Sequence, residues 1–405
     1  MVGDWDNDGA DNIGVVDENT SPSTWNLDTN GGGAADISLQ YGLSSENDQY
    51  YVGNWADVLW DGNQDGDGNG ITWAVADNWS GGVVPTSGQS VVIDQPTTAG
   101  TIHIGTSTST GSVVSTEKIS FSSGTWTLAE DSSLLNGFDI GGSTFAPAGT
   151  VTVRGSSSWG RVTLSGTGVT INEGIIDYYG GTLTVNAGAS LVNAGTFNHT
   201  ANSTVRIDGT VTTSIYTLPA GRLEGSGTIV GALSANSGAT VAPGNSPGTL
   251  NTDNFDLQSG ATLEIEIGGV NAGNTASDHD QVNVTGTVTL AGIPDVSQFN
   301  SFTSSVGDQF TIISNDGADA VSGTFSGLPE GSTISDFLGT GLGAIVSYAG
   351  GDGNDVVLTA AETAVTVSGG TLYITDTTLA GVADNLTITT NGANFEISSS
   401  GGLLA

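Results

Sequence analysis

The chain has 405 residues, of which 42 are Asp or Glu and only 5 are Lys or Arg, and its net charge is −37. This charge repels nucleic acid and anionic membrane surfaces, and no apolar run in the sequence is long enough to span a bilayer. Because the chain has no cysteine, disulfides and thiolate metal sites are excluded.

The first 72 residues are rich in Trp, Asp and Asn and contain an internal repeat. Val2-Gly3-Asp4-Trp5 recurs about 50 residues later as Val52-Gly53-Asn54-Trp55, a spacing typical of one β-propeller blade followed by the start of the next. The chain also stops without a closing pattern. Head-to-tail assembly of copies and simple truncation both remain open as explanations.

A calcium-binding loop is predicted directly after the first copy of this repeat. Acids alternate at three positions and Gly9 allows a tight turn, an arrangement that places several hard oxygen ligands around one point. The other interpretation is an acidic, solvated turn. The expected Ca²⁺ ligands are Asp4, Asp6, Asp8, the main-chain carbonyl of Ala10, and Asn12.

A second loop follows the same spacing with fewer acids, which predicts a weaker calcium site. Its alternative is a plain Gly/Asn/Asp linker between two modules. The expected ligands are Asp61, Asn63, Asp65, the main-chain carbonyl of Asp67, and Asn69.

From about residue 83 onwards, short β-branched runs are separated by Gly, Asn or Ser. Such alternation predicts strands and turns with almost no helix. Leu263-Glu264-Ile265-Glu266-Ile267 is an example, in which alternation places the isoleucines inward and both glutamates on a solvated outer face. Paired glycosidase carboxylates are the less favoured interpretation of Glu264 and Glu266.

No catalytic residues and no organic cofactor are predicted. His103, His199 and His279 are far apart in sequence, and in Asp278-His279-Asp280 strand alternation should place His279 opposite both acids. A polysaccharide lyase needs carboxylates beside a base, and we expect no cleft with three or more carboxylates near any basic residue. The basic residues are Lys118, Arg154, Arg161, Arg206 and Arg222.

Two further patterns each have a structural and a functional interpretation. The tryptophans at 55, 60, 73 and 79 could stack on sugars, but a small local core is favoured. Gly350-Gly351-Asp352-Gly353-Asn354-Asp355-Val356-Val357-Leu358 fits a calcium β-roll nonapeptide, but a single copy supplies half a site, so a β-turn leading into a strand is favoured.

Three stretches of the N-terminal segment carry a family resemblance: Val2-Gly3-Asp4-Trp5-Asp6-Asn7-Asp8-Gly9, Thr24-Trp25-Asn26-Leu27 and Ala35-Asp36-Ile37-Ser38. Together they resemble the FG-GAP/VCBS-type repeat of integrin-like β-propellers. In that family the Asp-rich loop binds calcium, so the resemblance implies this role for Asp4, Asp6, Asp8 and Asn12.

A second resemblance covers most of residues 73–360. Asn78-Trp79-Ser80-Gly81-Gly82-Val83-Val84-Pro85 with Val91-Val92-Ile93-Asp94 resembles the start of an autotransporter-associated β-strand repeat. The runs at 225–231 and 241–250 are similar to autotransporter passenger β-helices. The resemblance implies a β-helix in a large exported bacterial protein and indicates little about activity.

These observations predict an all-β chain whose centre is a right-handed parallel β-helix of about a dozen turns. The predicted divisions are a propeller-blade-like calcium-binding segment over 1–72, the β-helix over 73–290, a β-sandwich-like cap over 291–361, and the start of a further β module over 362–405. The expected location is secreted or on the bacterial cell surface.

The expected function is structural or adhesive, with calcium as the stabilising ion and with other copies of the chain or surface polysaccharide as partners. The alternative is a polysaccharide-binding or polysaccharide-degrading β-helix. Nucleic acid and a membrane span are not expected.

Overall fold

The computed structural model describes residues 58–60, 69–94, 100–199 and 203–362, together with the strand backbones within 2–41 and 363–399. The chain is nearly all-β, with 57% strand and 2% helix, and its centre is a parallel β-solenoid of about 9 turns. The predicted fold class is therefore confirmed. The expected number of turns was too high, because later turns are longer than the 19-residue offset between neighbouring early turns.

Four N-terminal strands form an antiparallel sheet in chain order. They are β1 (Val2–Gly3), β2 (Asn12–Asp17), β3 (Ser23–Asp28) and β4 (Ile37–Tyr41).

The solenoid strands follow. The first group is β5 (Val58–Leu59), β6 (Val91–Ile93), β7 (Thr101–Ile104), β8 (Thr108–Thr110), β9 (Val113–Ser115), β10 (Lys118–Phe121), β11 (Gly124–Leu128), β12 (Ser132–Leu134), β13 (Phe138–Pro147), β14 (Thr150–Val153), β15 (Ser156–Leu164), β16 (Val169–Asn172), β17 (Ile175–Gly180), β18 (Thr182–Val185), β19 (Ser190–Asn193) and β20 (Thr196–His199). A 3-10 turn, Ala76–Asn78, precedes β6.

The second group completes the solenoid and its end: β21 (Thr204–Ile207), β22 (Thr210–Leu218), β23 (Gly221–Gly225), β24 (Thr228–Ala235), β25 (Ala239–Pro243), β26 (Thr249–Leu257), β27 (Thr262–Ile267), β28 (Asn271–Ala272), β29 (Asp278–His279), β30 (Gln281–Val284), β31 (Val288–Leu290), β32 (Ile293–Gln298), β33 (Gln309–Asn315), β34 (Ser322–Gly323), β35 (Thr333–Ile334), β36 (Gly343–Gly350) and β37 (Asp355–Ala361). A 3-10 turn, Phe337–Gly339, lies before β36.

Each turn contributes strands to parallel ladders on three faces. Ladder 1 contains β7, β10, the first halves of β13 and β15, β17 and β20. Ladder 2 contains β8, β11, the second halves of β13 and β15, then β18, β21, β23, β25, β27 and β32. Ladder 3 runs from β5 through β6, β9, β12, β14, β16 and β19 into β22. Parallel pairing thus begins at Val58.

The core consists of inward columns in which an apolar side chain stacks on its equivalent one turn away. One column of ladder 2 contains five residues that pair in succession, each at most 1% exposed: Leu183, Val205, Leu223, Val241 and Leu263. Because a parallel strand inside such a stack is buried by its neighbours above and below, alternating β-branched and polar residues suffice to specify it.

The C-terminal cap is antiparallel and closes the last turns. Strand β33 pairs in parallel with β30 on one side and antiparallel with β37 on the other, and β36 joins β37 and β35. Phe310, Phe325 and Phe337 are buried beneath it. Two antiparallel hairpins follow: β38 (Thr363–Ser368) with β39 (Thr371–Asp376), and β40 (Leu386–Asn391) with β41 (Asn394–Ser399).

Close stacking leaves no space for a side chain at one turn between ladder 3 and ladder 1. A Cβ on Gly174 would lie 2.1 Å from the carbonyl oxygen of Gly155, and a Cβ on Gly195 would lie 2.1 Å from that of Gly174. A Cβ on Gly105, in another loop, would have no atom within 4 Å apart from those of its chain neighbours. The first site is therefore sensitive to any added carbon.

Gly174→Ala should lower the free energy of unfolding by about 1–3 kcal/mol, because the backbone of two turns must move apart. Gly105→Ala is the matched control and should change it by less than about 0.5 kcal/mol. Urea titrations of both variants and the parent chain measure the difference. Equal midpoints for the two variants would contradict the stacked geometry.

Candidate functional site

The predicted calcium loops lie almost entirely outside the described residues. Asp4, Asp6, Asp8 and Ala10 precede β2, and Asn12 is its first residue, of which only the main chain is described. In the second loop, the described part of the chain omits Asp61, Asn63, Asp65 and Asp67. Both calcium sites therefore stay predictions.

Asn69, the last residue of the second loop, stabilises a turn through side-chain hydrogen bonds. Its Oδ1 accepts hydrogen bonds from the main-chain N–H groups of Ile71 (3.1 Å) and Thr72 (2.9 Å) and from Asn78 Nδ2 (2.9 Å). Asn78 Oδ1 in turn accepts from the N–H groups of Asn69 and Gly70, each at 2.8 Å. Three donors already occupy the Asn69 oxygen that was predicted to bind calcium.

Trp60, Trp73 and Trp79 form a core and not a sugar platform, whereas Trp55 lies outside the described residues. Trp60, Trp73 and Trp79 are only 1–2% exposed, and their rings meet edge to face at centroid distances of 4.7–4.8 Å. Trp79 Nε1 donates to the carbonyl oxygen of Trp73 at 2.6 Å. The stacking alternative is therefore wrong for these three residues, and the core interpretation is confirmed for them.

The nonapeptide near residue 350 is a hairpin turn between β36 and β37. Gly353 N–H donates to the carbonyl oxygen of Gly350 at 2.8 Å, and Asp355 Oδ1 accepts from Asn315 N–H at 2.9 Å. This agrees with the favoured turn interpretation. Among the described residues no group of three or more His, Asp or Glu side chains is arranged to hold a metal ion.

An open groove of about 670 Å³ lies at the corner between ladders 1 and 2. Its floor is glycine, and its polar side chains come from four successive turns. The lining residues are Ser120, Phe121, Ser122, Asp139, Ile140, Gly141, Gly142, Ser158, Gly160, Arg161, Tyr179, Gly180 and Gly181. The sequence reasoning did not identify this site.

Tyr179 faces outward by the regular alternation of β17, and a β-bulge at this residue seats its ring on the neighbouring turn. Strand β17 pairs Tyr178 with Trp159 and Gly180 with Gly160, so Tyr179 is the extra residue between them. Its ring occupies the space that a side chain on Gly160 would need: a Cβ added to Gly160 would lie 2.3 Å from Tyr179 Cζ. Tyr179 is nevertheless 61% exposed, so the ring rests on glycine backbone and presents much of its surface to solvent.

Arg161 holds a strained backbone at the corner of the groove. Its φ is 55°, and the equivalent positions one turn before and after are Gly142 (φ 69°) and Gly181 (φ 85°). A left-handed conformation costs a non-glycine residue about 1–2 kcal/mol. The corner would therefore be more stable with glycine, and strain of this kind concentrates at functional sites.

Arg161 is also the one basic residue that has no ion pair with any described residue. The others contact carboxylates: Lys118 with Asp139 (3.0 Å), Arg154 with Glu173 (2.8 Å), Arg206 with Asp208 (2.6 Å), and Arg222 with Glu224 (2.9 Å) and Glu264 (2.5 Å). Arg161 lines the groove in a chain that has 42 acids and 5 bases.

Asp139 is the only carboxylate that lines the groove. It is engaged on two sides, by Lys118 Nζ and by the main-chain N–H of Ser158 at 2.7 Å. The groove therefore does not hold the three carboxylates that a lyase site was expected to need. It combines one fixed acid, one cation without an ion pair to the described residues, serine hydroxyls and one aromatic ring.

The carboxylates gather elsewhere, around Arg222 on the outer face of ladder 2. Arg222 contacts both Glu224 and Glu264, whereas Ile265 and Ile267 point inward and are fully buried. The predicted alternation of β27 is confirmed. Because the ion pairs are partly exposed, each contributes little to stability.

The prediction for Asp278-His279-Asp280 is wrong in one respect. Strand β29 ends at His279, so alternation does not continue, and both His279 and Asp280 are 2% exposed. Asp280 accepts hydrogen bonds from the N–H groups of Gly248 (2.6 Å) and Glu266 (2.7 Å). Burial raises the pKa of Asp280 to about 7, although these two hydrogen bonds oppose the rise.

The three histidines differ in exposure and in hydrogen-bond partners. His103 is exposed on ladder 1, whereas His199 is half-buried between Ser203 Oγ and the Tyr216 hydroxyl. Burial lowers the pKa of His199 to about 4. Burial also lowers the pKa of His279, whose ring nitrogens face the carbonyl oxygens of Gly269 and Thr311.

No protein-family model matches the sequence. A comparison with curated proteins also gave no match. Within the described part of the chain, no helix is long and apolar enough to cross a membrane. The site is therefore interpreted from its own geometry.

Asp280→Asn should remove one component of the pH dependence of stability. The pKa of Asp280 is about 7 in the folded chain, against an ordinary value of 3.8. Between pH 3.8 and about pH 7, Asp280 is more protonated in the folded state than in the unfolded state. The contribution of Asp280 to the free energy of unfolding therefore falls as pH rises through this range. The slope is at most about 1.4 kcal/mol per pH unit.

Urea unfolding of both proteins between about pH 4 and pH 8 measures this slope. His199 and His279 act in the opposite direction, since their lowered pKa values reduce stability as pH falls below about 6.5. Both proteins contain them, so the difference between the two profiles isolates Asp280. Parallel profiles would contradict the assignment.

Proposed function

We propose that this chain is a structural or adhesive protein of the bacterial exterior, stabilised by calcium in its N-terminal loops. The observation that supports it most is the unbroken stack of inward columns, such as the five paired residues of ladder 2 at no more than 1% exposure. A repeat stack of this kind resists bending and separates its two ends by a fixed distance.

The surface composition supports the same role. Outward positions carry Ser, Thr, Asn and Asp, and the net charge of −37 opposes lateral association of the sheets. Contact with other copies or with a surface polysaccharide then takes place at particular sites and not along whole faces. Millimolar calcium outside cells suits loop sites of modest affinity.

Removal of calcium should lower the melting temperature of the full chain and increase hydrogen exchange in residues 1–80. Asp6→Ala lacks a ligand of the first predicted loop only, so it should show part of this decrease in calcium and a smaller further decrease with chelator than the parent chain. Asp316→Ala, in an exposed turn near the cap, is the matched loss of one acid and should behave as the parent chain.

Sedimentation in calcium and in chelator, run on the same samples, tests assembly of copies. An elongated particle that associates only in calcium supports the proposal. An unchanged melting temperature in excess chelator would contradict calcium stabilisation. A monomer under both conditions would exclude other copies as the partner.

A further inference from the structure

We propose that the corner groove binds a glycan with spaced uronic acid residues, with a sugar ring on Tyr179 and a carboxylate on Arg161. The inference assigns a ligand to the adhesive role proposed above and rests on it. It requires no covalent step. It depends on four features of one surface: its concave shape, its glycine floor, its exposed ring and a cation that has no ion pair with the described residues.

The platform is built from three successive turns of the solenoid. Tyr179 projects from a bulge, and its ring covers Gly160. The ring also reaches Gly141: a Cβ added to Gly141 would lie 3.1 Å from the Tyr179 hydroxyl oxygen. Backbone supports one side of the ring, so the ring loses little freedom when a sugar packs on the other. An aromatic ring with an apolar face and a polar edge suits a pyranose, which has the same division.

The cation is placed beside this platform at a cost to the fold. The Cγ of Arg161 is 2.4 Å from the position of a Cβ on Gly181, so the side chain extends over a third glycine of the corner. Glycine would satisfy the left-handed backbone at 161 without strain. A guanidinium held there without an ion pair to the described residues is available to a carboxylate.

The charge of the whole molecule limits what the ligand can be. A dense polyanion would be repelled by a chain of net charge −37, whereas a single carboxylate meets the local cation. Ser120, Ser122 and Ser158 line the same groove and offer hydroxyl groups to neutral sugar hydroxyls. A polymer that alternates uronate with neutral sugars fits this distribution. The groove volume is within the range of about 300–1,000 Å³ found for ligand sites.

Isothermal titration of the full chain with three hexasaccharides tests the proposal. The probes are a hyaluronan hexamer, which alternates glucuronate with N-acetylglucosamine, a neutral N-acetylglucosamine hexamer, and a galacturonate hexamer with a carboxylate on every sugar. We expect saturable binding that is strongest for the hyaluronan hexamer and falls as salt rises. Equal binding of the neutral hexamer would overturn the role of Arg161.

Arg161→Gly separates binding from folding. Relief of strain should give an equal or higher melting temperature, while affinity for the hyaluronan hexamer should fall about tenfold or more. Tyr179→Ser should weaken binding of the hyaluronan and neutral hexamers alike, and Tyr179→Phe should retain most of it. Arg154→Ala is the control, because it removes the same charge from an exposed pair outside the groove.

Arg161→Gly binding as tightly as the parent chain, or Arg154→Ala losing as much affinity as Arg161→Gly, would overturn the proposal. The calcium and sedimentation measurements do not involve the groove. Failure of the glycan test with calcium stabilisation intact would therefore reject this ligand and leave the structural role standing.

Discussion

Burial of each strand by its neighbours one turn above and below is the constraint on which the rest of the molecule depends. No single turn encloses a core, so each apolar side chain must align with an equivalent one turn away, as Ile140, Trp159 and Tyr178 do in ladder 1. This requirement explains the recurring alternation in the sequence. It also explains the glycines at the turns, where Gly155, Gly174 and Gly195 stack too closely for any side chain.

The same constraint leaves the outward positions free for chemistry. Acids and hydroxyls outside the stack keep a long repeat soluble without disturbing its columns. At the groove the chain departs twice from the regular pattern of its turns. A bulge leaves Tyr179 as an extra residue over Gly160, and Arg161 occupies a corner position that its neighbours Gly142 and Gly181 fill with less strain. These departures occur together, which is why function is assigned to them.

The sequence predicted what depends on local alternation and missed what depends on register. Ile265 and Ile267 were correctly placed inward because β27 is regular, whereas Asp280 was misplaced because β29 ends one residue earlier. Alternation along β17 places Tyr179 outward, but the bulge that seats its ring on Gly160 is not visible in a single strand. A signal was nevertheless present: Gly141-Gly142, Gly160-Arg161 and Gly180-Gly181 recur at the spacing of one turn, with arginine in place of a glycine. Residue types alone predicted the calcium loops, whose acids lie outside the described residues.

Hydrogen exchange of the native full chain, resolved by residue, tests the stacked core most directly. If each turn is stabilised only by its neighbours, the slowest amides should lie in the central turns, between Phe138 and Val241, and protection should decrease smoothly toward both ends. A segment of rapid exchange within the strands of those central turns would contradict the account.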